Sequence, residues 1–150
     1  RLRDRRWRFL CGPAMSTGDV AEVRGLAAAT GTGVIVEPAR RDFTTLLRNC
    51  ALSISQGGYN TMIETLALAD RAVIVPYAGG LETEQELRAE LLAERGVFQM
   101  VSEARLSPEA LAQAIDTALD GPSIRSFPRI DAAGVSRTLS LVGKWLKDRS

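Results

Sequence analysis

The amino-acid sequence predicts an α/β fold, a doubly wound parallel sheet forming a single domain with helices on both faces. Three observations carry that expectation. Short apolar runs such as Val34-Ile35-Val36 and Ala72-Val73-Ile74-Val75 recur along the chain. Segments with helical start and stop signals alternate with them, which is the pattern of a parallel sheet covered on both sides. The length of 150 residues is that of one ordinary domain with its own core.

Taken in order, Trp7-Arg8-Phe9-Leu10-Cys11 reads as a short strand closed by Gly12-Pro13. A helix is expected from Asp19 to Ala29, with Asp19 and Glu22 spaced as a capping box and Gly31 beyond its end. Val34 to Val36 is the second strand and Phe43 to Arg48 a short helix. Ala51 to Ser55, a helix from Asn60 to Ala69, and Ala72 to Val75 ending at Pro76 follow. Thr83 and Glu86 are spaced to cap a helix reaching Glu94, with Gly96 past its end. Phe98 to Val101 is a fifth strand. Ser107-Pro108 opens the next helix, with Leu106 and Leu111 placed as a hydrophobic staple. Asp120 to Asp131 reads as an irregular linker. A last amphipathic helix from Ala132 to Lys147 carries Val135, Leu139, Val142 and Leu146 on one face.

Composition excludes several function classes. Apolar residues make up 45% and charged residues 25%, the soluble globular range. A formal net charge of +1 gives no global field to gather nucleic acid. No apolar run has the length of a membrane span, and no apolar core follows the basic start as in a signal peptide, so the cytoplasm is the expected compartment. Cys11 and Cys50 lie singly among apolar residues and read as two buried thiols. Histidine is absent, which removes every Ser-His or Cys-His nucleophile and every histidine metal site from this chain. No cysteine pairs or clustered aspartates suggest a metal, and no cofactor is expected.

The most informative stretch is Ser53-Ile54-Ser55-Gln56-Gly57-Gly58-Tyr59-Asn60-Thr61-Met62-Ile63-Glu64. It leaves a strand, passes two glycines and enters a helix through short polar side chains. In doubly wound sheets, ligands bind beyond the carboxyl ends of the strands. A helix start presents unpaired N–H groups and the positive end of the dipole, so it favours an anion. Gly57 and Gly58 allow close backbone approach or positive φ, while Gln56, Asn60 and Thr61 add donors. The spacing suits a phosphate or diphosphate. It equally suits a tight turn in which Thr61 and Glu64 form a capping box.

Gln56 to Glu64 resembles the nucleotide-diphosphate signature of GT-B glycosyltransferases, which in the plant enzymes reads His-Cys-Gly-Trp-Asn-Ser-x-x-Glu. The likeness is closer to the bacterial branch that contains the peptidoglycan N-acetylglucosaminyltransferase and related glycosyltransferases. It continues through Pro76 and Glu84-Gln85 to Arg88-Ala89, and covers roughly Phe9 to Leu119. The resemblance implies the Rossmann-like, C-terminal donor-binding half of a GT-B enzyme. In that half Gln56, Gly57, Gly58, Asn60 and Thr61 would hold the diphosphate of a sugar nucleotide and Glu64 its ribose. Glu84 and Gln85 would face the donor sugar, and Phe43 would lie where the family places the nucleobase. Gln56 stands where the plant pattern has histidine, so the phosphates would rely on neutral donors.

Other features have plainer readings. Tyr77, Gly79 and Gly80 shape the loop after the fourth strand, and Gly31-Thr32-Gly33 follows a helix as cap and turn. Arg40 and Arg41, like the basic start Arg1 to Arg6, read as solvated charge. Residues 1–150 are thus expected to be the nucleotide-sugar donor-binding domain, with the first strand-loop-helix unit and the N-terminal acceptor domain of the same protein missing. No catalytic residue is expected within this fragment. The implied reaction transfers a sugar from a UDP-type donor to an unknown acceptor without a metal. The resemblance leaves peripheral contact with the inner membrane face open, and the alternatives are a non-hydrolysing sugar-nucleotide epimerase half or a non-catalytic nucleotide-sugar-binding module.

Overall fold

The computed structural model describes residues 5–30, 33–77, 79 and 84–128. The elements run β1 (Trp7–Cys11), α1 (Thr17–Ala29), β2 (Val34–Pro38), α2 (Phe43–Asn49), β3 (Ser53–Ser55), α3 (Tyr59–Leu68), β4 (Ala72–Ile74), α4 (Glu84–Glu94), β5 (Gln99–Met100) and α5 (Pro108–Asp120). The α/β alternation expected from the sequence is present, and every described strand pairing is parallel. The chain divides into two compact units, Arg1–Leu46 and Leu47–Ser150, each holding its own parallel ladder.

In the first unit β1 pairs with β2 from Trp7↔Val34 to Cys11↔Pro38. The ladder is extended by Trp7 N–H to Gly33 O (2.6 Å) and Ala39 N–H to Cys11 O (2.9 Å). α1 starts earlier than the Asp19–Glu22 spacing suggests. Ser16 is its cap: the serine hydroxyl accepts from Asp19 N–H at 3.1 Å, and the Asp19 carboxylate accepts from Ser16 N–H at 3.2 Å. Asp19 is therefore the third helical residue closing the box, not the cap. The Ser-x-x-Asp pattern satisfies two end donors reciprocally, which the later pair does not do.

The second unit is built on the order β3-β4-β5, with β4 in the middle. Ala72, Val73 and Ile74 are all buried, as a central parallel strand covered on both faces requires. Around them pack Met62 and Thr65 of α3, Ala89 and Leu92 of α4, and Ala114, Ile115 and Ala118 of α5. α5 begins as its sequence says, with Ser107 accepting from Ala110 N–H at 3.1 Å and Pro108 in the first turn.

The segment after α5, expected to be irregular, is instead tied down. Residues Ile124–Ser126 form a 3-10 turn with Ile124 buried. Ile124 N–H donates to Asp70 O at 2.8 Å, Ser123 Oγ to Asp70 Oδ1 at 2.6 Å, and Arg125 Nη2 to Leu68 O at 2.9 Å. These partners lie more than fifty positions away in sequence, beyond the reach of local pattern reading. The helix expected at 132–147 lies outside the described residues, as do Gly31, Gly80 and Thr83.

Candidate functional site

The carboxyl end of β3 leads through Gln56, Gly57 and Gly58 into α3, and the two glycines do different work. Gly57 is buried with φ +75. A Cβ there would stand 2.6 Å from Ile74 Cγ2 and 3.1 Å from Met62 Cε, so the absent side chain faces the core. Gly57 is glycine for the fold. Gly58 has ordinary φ of −52, caps α3, and a Cβ there would meet nothing within 4 Å. Its bare backbone opens outward.

The start of α3 is left open. No side chain caps it, and the first backbone bond is Met62 N–H to Gly58 O at 2.8 Å. The N–H groups of Tyr59, Asn60 and Thr61 have no partner among the described residues. Gln56 and Asn60 are exposed beside them, and Thr61 is half-buried. Glu64 is the sixth residue of the helix, where a capping box needs its acid at the third, which is Thr61. The capping-box alternative for Thr61 and Glu64 is therefore excluded. Glu64 is half-buried, and its carboxylate makes no hydrogen bond or ion pair to another described residue. Behind the loop, the Ser55 hydroxyl is buried without a partner among the described residues.

α4 comes to the same place. Arg88 forms an ion pair with Glu84, four residues earlier on the helix, and its guanidinium lies over the Tyr59 ring at 5.2 Å from the centroid. Tyr59 is the first residue of α3, so Arg88 links the starts of α3 and α4. Its Nη1 is buried and has no partner among the described residues. Glu84 is exposed and Gln85 half-buried. Preceding them, the Tyr77 ring occupies the space a Cβ at Gly79 would need, which explains the glycine in that loop. Sequence reading named Arg88 only within the resemblance; its four-residue spacing from Glu84 is that of a helical ion pair.

Phe43 heads α2 in the first unit, half-buried. Before it, Arg40 donates from Nε and Nη2 to the two Asp42 carboxylate oxygens at 2.8 and 2.7 Å, and from Nη1 to Glu37 at 3.4 Å. Glu37 also pairs with Arg8. The Arg8 hydrogen bond holds the Glu37 carboxyl below its ordinary range, and Arg40 does the same for Asp42. Arg40 in turn is pushed up, first by its bond to Asp42. Arg40 thus spends its charge on its own neighbours, as a solvated cluster does.

Both cysteines are free thiols. Cys11 is buried, whereas Cys50 is only half-buried, donates from Sγ to Leu47 O at 3.3 Å, and is pushed up in pKa by burial. Neither stands with ligand partners: among the described residues no group of three His, Cys, Asp or Glu could hold a metal ion. No described helix is long and apolar enough to cross a membrane.

Residues 14–138 match the model of the glycosyltransferase family 28 C-terminal domain. The chain belongs to that family. Among curated proteins it is 32% identical over 119 residues to the UDP-N-acetylglucosamine--N-acetylmuramyl-(pentapeptide) pyrophosphoryl-undecaprenol N-acetylglucosamine transferase of Mesorhizobium japonicum, across 79% of this chain and 32% of that protein. It is 30% identical over 122 residues to the transferase of the same description from Brucella anthropi, across 81% of this chain and 32% of that protein. The crystal structure of Acinetobacter baumannii MurG superposes with a TM-score of 0.62 at 23% identity, over 75% of this chain and 32% of the other. The chain spans about a third of the length of these relatives.

Family membership and the shared fold confirm the resemblance carried by Gln56 to Glu64 and the Rossmann-like α/β class. Within this family 28 domain, the second unit gathers Gln56, Gly58, Asn60, Thr61 and Glu64 along the β3–α3 connection. Arg88 joins that connection to Glu84 on α4.

Proposed function

We propose that this family 28 domain binds the nucleoside diphosphate sugar, with uridine as the base, for a glycosyltransferase that delivers the sugar to an acceptor held elsewhere in the protein. The observation that carries the reading is the uncapped start of α3 behind Gly58. Three N–H groups and the positive end of the helix dipole stand there with no acceptor among the described residues. Gln56, Asn60 and Thr61 add neutral donors to the phosphates, and Glu64, free of any cap role, accepts from the ribose hydroxyls. Glu84 and Gln85 face the sugar.

As the sugar–phosphate bond breaks, charge builds on the departing diphosphate. Preorganised N–H groups stabilise that charge more in the transition state than in the bound donor, which is what accelerates transfer. This electropositive helix end takes the place of a metal ion in the proposed reaction. The relatives are about three times as long, which supports a second, acceptor-binding domain that contributes the general base. Peripheral contact with the cytoplasmic face of the membrane would then bring that acceptor within reach.

The test is a thermal-shift panel of uridine, guanosine and thymidine diphosphates, followed by titration of the best ligand against its monophosphate. Wild type is expected to prefer the diphosphate. Gly58→Val, whose side chain projects into open space and leaves the core untouched, is expected to lose that preference while melting within a few degrees of wild type. Equal binding of mono- and diphosphate, unchanged by the variant, would place the anion somewhere else.

A further inference from the structure

The neutral donors around Gln56 leave a diphosphate without a cation, and the structure brings one in from another helix. We propose that Arg88 is a further binding residue of the donor site, its guanidinium taking the terminal phosphate of the diphosphate. This rests on the donor-site reading above. The guanidinium is held on two sides. Nη2 donates to Glu84 Oε1, and the plane lies over the ring of Tyr59, the residue that begins α3. The third group, Nη1, is buried and has no partner among the described residues. A buried charged donor without an acceptor is destabilising until an oxygen meets it.

Glu84 does not cancel the charge. Its side chain is 82% exposed, and an ion pair facing solvent is weak and easily exchanged. The stacked ring, by contrast, fixes the guanidinium without consuming any donor. Once a phosphate displaces the exposed Glu84, Nη1 and Nη2 together offer it the planar two-point fork that accepts parallel bonds. The nearby glutamate turns toward the sugar as the phosphate replaces it.

Isothermal titration of the full chain with uridine diphosphate and uridine monophosphate tests this on wild type, Gly58→Val, Arg88→Met and Arg88→Lys. Arg88→Met is expected to lower diphosphate affinity about tenfold to a hundredfold, the range of a charge-assisted bond, and monophosphate affinity far less. Arg88→Lys, which keeps the charge but not the fork, is expected to restore part of the loss. Diphosphate affinity should fall more steeply with added salt in wild type than in Arg88→Met.

Unchanged diphosphate affinity in Arg88→Met, with the preference abolished in Gly58→Val, overturns the proposal and leaves the donor site standing. Equal losses for both nucleotides in Met and Lys variants also overturn it, since Arg88 then only joins α3 to α4. Wild type without any diphosphate preference overturns the donor site and this inference together. Should Arg88→Met fail to fold, Arg88→Lys and its salt dependence decide the matter by the same criteria.

Discussion

Helices α3 and α5 both follow β-strands in the second unit, and they begin in opposite ways. α5 closes its first turn from within: Ser107 accepts from Ala110 N–H and Pro108 removes another donor. α3 has Gly58 in the capping position, no side chain on its end N–H groups, and polar residues around it. A closed start gives stability to its own helix, typically about 1 kcal/mol. An open start forgoes that stability and leaves its donors available to an outside acceptor. The same physical need, satisfying end N–H groups, is met internally at α5 and left open at α3, where the donor site is proposed.

The largest effect expected from breaking this contrast lies at Gly57. Gly57→Val meets both a positive φ and contact with Ile74 and Met62, and should lower stability by about 3 kcal/mol or more. Urea unfolding followed by circular dichroism measures it. A near-wild-type midpoint would show that the loop relaxes freely and that the division of labour between Gly57 and Gly58 is wrong.

Next comes Glu64→Gln, which preserves shape while replacing one acceptor with a donor. Affinity for a ribonucleoside diphosphate should fall by about 1.5–3 kcal/mol, with a much smaller loss for the dideoxyribose analogue. Calorimetric titration of both ligands separates the cases. Equal losses would remove Glu64 from the ribose, and its freedom from the helix cap would need another explanation.

Ser107→Ala sharpens the comparison from the other side. It should cost about 1 kcal/mol of stability and leave nucleotide affinity unchanged. A parallel loss of affinity would mean that the two helix starts are not independent. The smallest effect belongs to Gly58→Ser, which gives α3 the cap that α5 has. Stability should rise by a few tenths of a kcal/mol, about the margin between glycine and serine as caps. Diphosphate affinity should drop, because the new hydroxyl occupies an N–H group intended for the ligand. A variant that gains stability with undiminished affinity would show that the open end serves no ligand.

Much of the fold was legible because its signals are local. Apolar runs marked the strands, and Ser107-Pro108 and Gly96 marked ends correctly within a residue or two. The start of α1 was misplaced, since Asp19 was read as a cap and proved to be the residue answering Ser16. The same kind of ambiguity surrounded Thr61 and Glu64. Spacing shows that two residues have the separation of a box, but only the position of the first helical turn shows whether they form one. With Tyr59 as that first residue, Glu64 lies too far along.

The sequence by itself determined the alternation of strands and helices, the polar loop after β3 and the family. Each of these is written in neighbours along the chain, in periodicity, glycines and short motifs. Tertiary structure alone decided which glycine faces the core, because that depends on Ile74 packing across from Gly57. It alone tied Ile124 to Asp70 and laid Arg88 over Tyr59, pairs separated by long stretches of chain. Local pattern specifies what backbone a residue adopts; what its side chain meets is set by elements brought together only when the core is buried.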